Sequence, residues 1–139
     1  MKCFQCSKGK LASKLSPVPG TLRGQQFIVQ IEALVCNSCG DISLNEAQST
    51  AFHIALADAY RVAHGLLTTP QIRAARENLG LSQQQFAARL KVGIASVKRW
   101  EAGAIQDPSS DRLIRLSTDL ETARAHLRQL ESTLAHHHR

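Results

Sequence analysis

The order of apolar and polar residues predicts a short strand-forming segment followed by a long helical one. In the first segment every second residue of 26–35 is apolar, the period-two pattern of a strand with one buried face: Phe27, Val29, Ile31, Ala33 and Val35. The remainder of residues 1–43 carries turn signals, Pro17-Val18-Pro19-Gly20 and Cys39-Gly40. We therefore expect a loop-rich, strand-poor module with one clear strand.

Helix signals begin directly after this module. Ser43-Leu44-Asn45-Glu46 has the form of a capping box, and an alanine-rich run without glycine or proline continues through Ala63 and stops at His64-Gly65. Thr69-Pro70 supplies an N-cap and a first-turn proline for a helix over 71–79. Further helices are predicted over 82–90 and 94–102, and Asp107-Pro108 begins a last helix that runs almost to the end of the chain.

The last helix carries an apolar stripe at the alternating spacing of three and four that is typical of a coiled coil. Its members are Leu113, Leu116, Leu120, Ala123, Leu127, Leu130 and Leu134. We expect a partner helix to pack on this stripe. In an expected homodimer, the interface is either this stripe or the helices that precede it in the chain.

Residues 80–103 have the register of a helix-turn-helix. Ser82 opens a Ser-x-x-Gln capping box, and the first helix has one apolar face made of Phe86, Ala87 and Leu90. Lys91-Val92-Gly93 is a turn of three residues, with Val92 placed for burial and Gly93 at the bend. Val97 and Trp100 of the next helix face inward.

The outward residues of this motif are the candidates for contact with double-stranded operator DNA. Arg99 can donate two hydrogen bonds to guanine O6 and N7 and is the strongest base-reading candidate, whereas Lys98 and Gln83 suit the phosphate backbone. The full candidate set is Gln83, Gln84, Ala95, Ser96, Lys98 and Arg99. The alternative is an amphipathic helical bundle in which Lys98 and Arg99 form a solvated face.

Two Cys-x-x-Cys pairs, Cys3 with Cys6 and Cys36 with Cys39, have the spacing of a tetrahedral zinc site. Gly40 follows the second pair and permits a positive φ there, and Ser7 takes the equivalent place after the first. Four thiolates leave no open coordination position, so one structural Zn²⁺ is expected. The alternatives are four idle thiols and a redox dithiol, which would require one reactive pair beside a βαβ unit.

Composition narrows the class of protein. The net charge of +6 suits a polyanionic partner but is also common among proteins that never bind nucleic acid. No run of eighteen apolar residues predicts a membrane span, and the N-terminus lacks the apolar core of a signal peptide, so we expect a cytoplasmic protein with reduced cysteines. His53, His64 and His126 are scattered without a paired nucleophile, so we do not expect an enzyme.

Over residues 1–108 these features together resemble the MqsA or YgiT-type antitoxin family, which joins a four-cysteine zinc domain to an Xre-like helix-turn-helix. The residues that carry the resemblance are Cys3, Cys6, Cys36 to Gly40, Tyr60 to Pro70, Leu81-Ser82-Gln83 and Arg99 to Gly103. The resemblance implies a type II antitoxin that binds a ribonuclease-like toxin through the zinc domain and represses its own operon as a homodimer.

The expected fold is mainly α with a small zinc-bound β module. Its domains are a four-cysteine zinc domain at 1–43, a connecting helix at 44–64, a helix-turn-helix domain of the Xre or lambda-repressor type at 65–117, and a leucine-rich C-terminal extension at 118–139.

Two features depart from the family pattern. A well-known member of the family reads bases with an asparagine and an arginine four apart on the recognition helix, and those places hold Ala95 and Arg99 here. The leucine-spaced extension after Leu116 is also longer than usual. The alternative function is a stand-alone Xre-family regulator with a structural zinc domain, and a neighbouring ribonuclease-like gene would distinguish the two.

Overall fold

The structure is a computed structural model, and it describes the backbone of residues 1–137 with the side chains of residues 1–119 and 123–135. Over these residues the fold is mainly helical, with one small antiparallel sheet. The strands are β1 (Leu11–Leu22), β2 (Gln25–Cys36) and β3 (Ile42–Ser43), and the helices are α1 (Glu46–Ala63), α2 (Thr69–Asn78), α3 (Gln83–Leu90), α4 (Ile94–Glu101), α5 (Pro108–Thr118) and α6 (Leu120–His137). The chain divides into two compact units, Met1–His64 and Gly65–Arg139.

The first unit is built on a long β-hairpin, so the prediction of a strand-poor module was wrong. β1 and β2 pair antiparallel along their whole length, from Leu11 opposite Cys36 to Leu22 opposite Gln25. Arg23 and Gly24, with φ of 51° and 79°, form the two-residue turn between them. β3 adds a short pairing to residues 34 and 35 of β2.

The Pro17–Gly20 segment, which suggested a turn, lies inside β1. The N–H of Leu11 donates to the carbonyl of Met1 at 2.8 Å, away from β2, and N–H directions alternate along a strand. The backbone nitrogens of residues 17 and 19 therefore also face the outer edge of β1. Because proline has no N–H, it could not donate a hydrogen bond at either position, but no bond to β2 is lost there. Gly20 faces α1, because a Cβ there would lie 2.8 Å from the ring of Phe52.

α1 packs against the inner face of the hairpin. Val29, Ile31 and Ala33 alternate with exposed neighbours along β2 and are buried together with Leu56 and Ala57 of α1. The helix is capped by Asn45 and Gln48, which bond to each other's backbone N–H at 2.8 and 3.0 Å, and not by Ser43 and Glu46 as predicted. The backbone of Ser43 pairs with β2 instead, so Ser43 lies in the sheet and not at the start of the helix.

The second unit surrounds one hydrophobic core, made of Ile72, Phe86, Ala87, Leu90, Val97, Trp100 and Ile114. The predicted Ser82–Gln85 capping box begins α3, and Asp107 caps α5 ahead of Pro108. The cap of α2 is Thr68 and not Thr69, which is buried inside the helix. In the turn between α3 and α4 the left-handed residue is Lys91 (φ 58°), whereas Gly93 has φ −71° and serves as the N-cap of α4.

A buried polar network holds the start of the second unit. Asp111 accepts the Leu67 N–H at 2.8 Å and the Gln106 amide at 3.0 Å, and the same Gln106 amide donates to the Leu67 carbonyl at 2.8 Å. Arg115 bonds to Asp111 at 2.9 Å and to the Gly65 carbonyl at 3.0 Å. Residues 65–67 are thereby fixed to α5.

The predicted continuous C-terminal helix is interrupted, which corrects the leucine stripe. Asp119 is extended (φ −111°, ψ 109°), and its carbonyl accepts from the Ala123 N–H at the start of α6. Arg112 of α5 lies 3.3 Å from His126, so α6 runs back beside α5. Leu113 packs on the core of the unit, while three leucines of α6 stay exposed: Leu127, Leu130 and Leu134. The side chain of Leu120 lies outside the described set.

None of the helices in the described part of the chain combines the length and the apolar character that crossing a membrane requires.

Candidate metal centre and nucleic-acid interface

The structure brings the four predicted cysteine ligands together at one end of the β-hairpin. Their Sγ atoms all lie within 4.8 Å of one another, with 3.7 Å between Cys3 and Cys39 and 3.6 Å between Cys6 and Cys36. Four sulfurs around a tetrahedral zinc, each about 2.3 Å from the metal, are about 3.8 Å apart. The group therefore has the spacing that holds a metal ion.

Each cysteine pair lies in a tight backbone turn. Ser7 and Gly40, which follow the two pairs, both have positive φ, at 60° and 75°. The N–H groups that approach sulfur come from Gly9 to Cys6 at 3.4 Å, and from Ser38 and Cys39 to Cys36 at 3.3 and 3.4 Å. These bonds stabilise thiolate sulfur and orient it toward the shared centre.

Two residues that sequence reasoning missed join the two turns. A Cβ on Gly9 would collide with Cys36 Sγ, so only glycine allows the first turn to approach the second. Asn37 accepts the Lys10 N–H with its side chain at 3.0 Å and donates its own N–H to the Lys10 carbonyl at 3.1 Å. The spacing of the cysteines predicted that the four sulfurs would come together, but it contained no signal for these contacts.

The pKa values of the Cys6 and Cys39 thiols are shifted in opposite directions. The backbone N–H of Gly9 is the main cause that lowers the pKa of Cys6 to about 6. At Cys39 the N–H of Asp41 acts in the same direction, but burial and the neighbouring sulfurs outweigh it and raise the pKa to about 12. Four thiolates cannot all form this close together without a cation, and a divalent metal ion would offset two of their four negative charges.

The second candidate site is the outer surface of α4. Val97 and Trp100 are buried in the core, which turns the opposite side of the helix outward. Ala95, Lys98 and Arg99 are exposed there, and Ser96 is half-buried. Gln83 and Gln84 lie in the first turn of α3, with Gln84 exposed and Gln83 half-buried.

A buried ion pair holds the C-terminal end of α4. Glu101 is 5% exposed and accepts two hydrogen bonds from Arg76 of α2, at 2.8 and 2.9 Å. Burial by itself raises the pKa of Glu101, but hydrogen bonds and charge from Arg76, with smaller contributions from Gln83 and Arg73, leave it below its ordinary value. The Glu101 carboxylate thus joins α2 to α4 and fixes the helix that presents Arg99.

The comparisons with known proteins cover both units. A family model described as the antitoxin component of a bacterial toxin-antitoxin system, MqsA, matches residues 1–129. Antitoxin MqsA of Escherichia coli (strain K12) is 31% identical over 120 residues, which cover 84% of this chain and 91% of that protein. The solved N-terminal domain of E. coli MqsA is 30% identical, with a TM-score of 0.36, and the match covers 47% of this chain and 97% of that domain. Because the family match runs from the cysteine cluster through the helix-turn-helix and into α6, the chain belongs to the MqsA family of antitoxins.

Proposed function

We propose that this protein neutralises a ribonuclease-like toxin through its zinc-bearing first unit and represses its own operon by binding operator DNA through α4. The observation that carries the proposal is the joining, in one chain of an antitoxin family, of a four-thiol cluster and an outward-facing basic helix. The protein acts by binding and not as an enzyme. Both partners are inside the cell, so the proposed location is the cytoplasm.

The metal in this proposal is one structural Zn²⁺ held by Cys3, Cys6, Cys36 and Cys39. Four sulfur ligands suit zinc and occupy every position of its tetrahedron, so the ion supplies folding energy and no catalytic site. Holding the two turns together also orients the start of β1 and the end of β2, on which the remainder of the unit is built.

Operator binding is assigned to the candidate residues on α3 and α4. Arg99 is exposed and can make the bidentate contact to guanine, while Lys98, Ser96 and Ala95 line the same outer surface. Gln83 and Gln84 at the start of α3 would contact phosphates on either side of the groove. The family's asparagine position holds Ala95, so the proposed operator differs in sequence from one read by asparagine.

A homodimer completes the proposal, because two copies of a helix-turn-helix read the two halves of a palindrome. The exposed leucines of α6 offer one interface and the helix-turn-helix domain itself offers another. Each segment of the chain has a proposed role. Residues 1–43 bind the metal and the toxin, and residues 44–64 form a connecting helix. Residues 65–117 bind DNA, and residues 118–139 form an extension that supports the dimer.

The test is co-purification of the tagged, zinc-loaded protein from its host, with mass spectrometry of bound proteins and footprinting on its own promoter. We expect a small ribonuclease-like protein and a protected palindrome. The Arg99→Ala variant serves as a control, because it should lose the footprint and keep the toxin. A footprint without any toxin would contradict the antitoxin role and favour a stand-alone regulator.

A further inference from the structure

We propose that the first knuckle hairpin, residues 1–11, carries a binding site for single-stranded nucleic acid, formed by Phe4, Lys2 and Lys10. This site is separate from α4 and goes beyond toxin and operator binding. Its ligand class is a phosphodiester strand with at least one unstacked base.

The backbone of the knuckle hairpin places two lysines directly opposite each other. The Cys3 N–H donates to the Gly9 carbonyl at 3.0 Å, and the Leu11 N–H donates to the Met1 carbonyl at 2.8 Å. These bonds flank the Lys2–Lys10 pair and make it a non-hydrogen-bonded antiparallel pair. In such a pair the Cα atoms are only about 4.5 Å apart and the side chains are at their closest.

Like charges directly opposite each other on a sheet are unfavourable unless something compensates them. Among the described side chains, none of the ion pairs includes Lys2, Lys8 or Lys10. Five basic residues and no aspartate or glutamate occur between Met1 and Ile31. The positive charge of the knuckle hairpin is therefore available to an external anion.

The metal centre does not account for this lysine pair. Side chains alternate between the two faces of a strand, so Lys2 and Lys10 project from the face opposite to Cys3. Cys3 is 2% exposed and its sulfur belongs to the metal cluster, whereas both lysines are exposed. The ammonium groups thus point toward solvent, on the far side from the thiolates.

An aromatic ring stands in the same hairpin, two residues after Lys2. Phe4 is 90% exposed, the largest value among the exposed large hydrophobic residues of the described chain. It sits between Cys3 and Cys6, so the metal turn holds its backbone in place while the ring contributes nothing to a core. Nucleic-acid bases stack on solvent-exposed aromatic rings that lie beside basic residues, and Phe4 with the two lysines has this arrangement.

The combination of an exposed aromatic ring with two lysines favours single-stranded nucleic acid over other anionic partners. A paired base in duplex DNA presents no free face to Phe4, whereas an unstacked base does. An anionic membrane surface would also attract the lysines. Proteins bind such a surface with an amphipathic segment that is longer than one aromatic ring in a turn. RNA and DNA strands share the required chemistry, so both enter the test.

The experiment measures fluorescence anisotropy of labelled twelve-nucleotide oligouridine RNA and oligothymidine DNA with the full-length, zinc-loaded protein carrying Lys98→Ala and Arg99→Ala. That background removes both the phosphate contact and the base contact proposed for α4, so the remaining binding reports on the knuckle hairpin. Phe4→Ala should weaken binding by about 5- to 150-fold, the range for loss of one stacked base. Lys2→Gln with Lys10→Gln should make the slope of log K against log salt shallower by about 1.4, at about 0.7 for each phosphate.

Matched controls come from exposed residues of the same unit. Ile28→Ala removes an apolar side chain that is 72% exposed, and Lys14→Gln removes an exposed charge from β1; neither should change binding by more than about twofold. Zinc content and thermal unfolding should be unchanged in every variant.

Three outcomes would overturn the site. The first is no binding of either oligonucleotide at low salt. The second is equal losses in the control and knuckle variants. The third is binding to phosphatidylserine vesicles that shows the same dependence on Phe4 and the lysines while the oligonucleotides do not bind. Preserved operator binding by protein with native Lys98 and Arg99 would show that any such failure belongs to the knuckle site alone.

Discussion

Arg99 is the exposed side chain of α4 with the chemistry to distinguish one base pair from another. Replacing it with alanine should lower affinity for the proposed operator by about 5- to 150-fold, because the proposed bidentate contact to guanine would contribute about 1 to 3 kcal/mol. Affinity for unrelated duplex DNA should fall far less. Gel-shift titrations with operator and scrambled duplexes measure the ratio, and Lys98→Ala, which should weaken both alike, is the matched control.

The buried Glu101 carboxylate makes the second unit sensitive to acid. Its folded-state pKa is lowered, so its stabilising contribution is complete above the unfolded value of 4.5 and is lost as pH falls through the lower folded-state pKa. Glu101→Gln should lower the unfolding free energy at pH 7 by about 3 kcal/mol, since the Arg76 guanidinium loses the buried carboxylate that balances its charge. The difference between native protein and variant should narrow below pH 4.5.

Urea unfolding followed by the fluorescence of Trp100, the single tryptophan of the chain, reports on this unit. Glu77→Gln is the control, because the Glu77 carboxylate is exposed and 4.0 Å from Arg76, so its loss should change stability by about 1 kcal/mol or less. A difference for Glu101→Gln that stays constant down to pH 3 would show that this carboxylate does not titrate with folding.

At the scale of elements, α6 presents an apolar face that the unit itself does not cover. Leu127, Leu130 and Leu134 are 56%, 46% and 58% exposed and lie three and four residues apart on one side of the helix. Leu127→Ser combined with Leu134→Ser should convert the proposed homodimer to a monomer at micromolar concentration. Sedimentation equilibrium measures this, with Leu15→Ser of β1, 59% exposed, as control. A dimer that survives the double substitution would place the interface in the helix-turn-helix domain.

The elements themselves were predicted unevenly. The helices of the second unit were visible in the sequence because caps and apolar periodicity act within a few residues. β1 was not visible in the sequence, because proline and glycine disfavour a strand when only local residues are considered. Pairing with β2 and packing against α1 stabilise the strand despite these residues. The break at Asp119 was not predicted for a related reason: the half-buried Leu113 packs against the core of its unit, and this contact removes it from the stripe that its spacing suggested.

At the scale of the whole molecule, the metal should stabilise one unit and leave the other unchanged. Each unit has its own core, and the four thiols belong to Met1–His64. Removing the proposed zinc with a chelator should therefore lower the melting temperature of the first unit, because four close thiols lose the cation that permits their ionised form. Tyr60 and Trp100, the single tyrosine and tryptophan, report on the two units separately.

Thermal scans with both probes measure this effect, and re-addition of zinc should restore the first transition. Cys39→Ser should reproduce the chelated state in the Tyr60 signal. If chelation moved the Trp100 transition by the same amount, the two units would unfold together and the metal would stabilise the whole chain.

The features that could be predicted from the sequence depend on near neighbours: the two Cys-x-x-Cys pairs, the Ser82 and Asp107 caps, the inward Val97 and Trp100, and the outward Arg99. These follow from spacing along one turn, one knuckle or one helix, where a few residues decide the outcome. The tertiary structure alone decided the pairing of β1 with β2, the Gly9 contact, the Arg76–Glu101 bond and the facing Lys2 and Lys10. Each of these joins residues distant in the chain or set by register, and the favourable energy of such contacts exists only after the segments have been brought together.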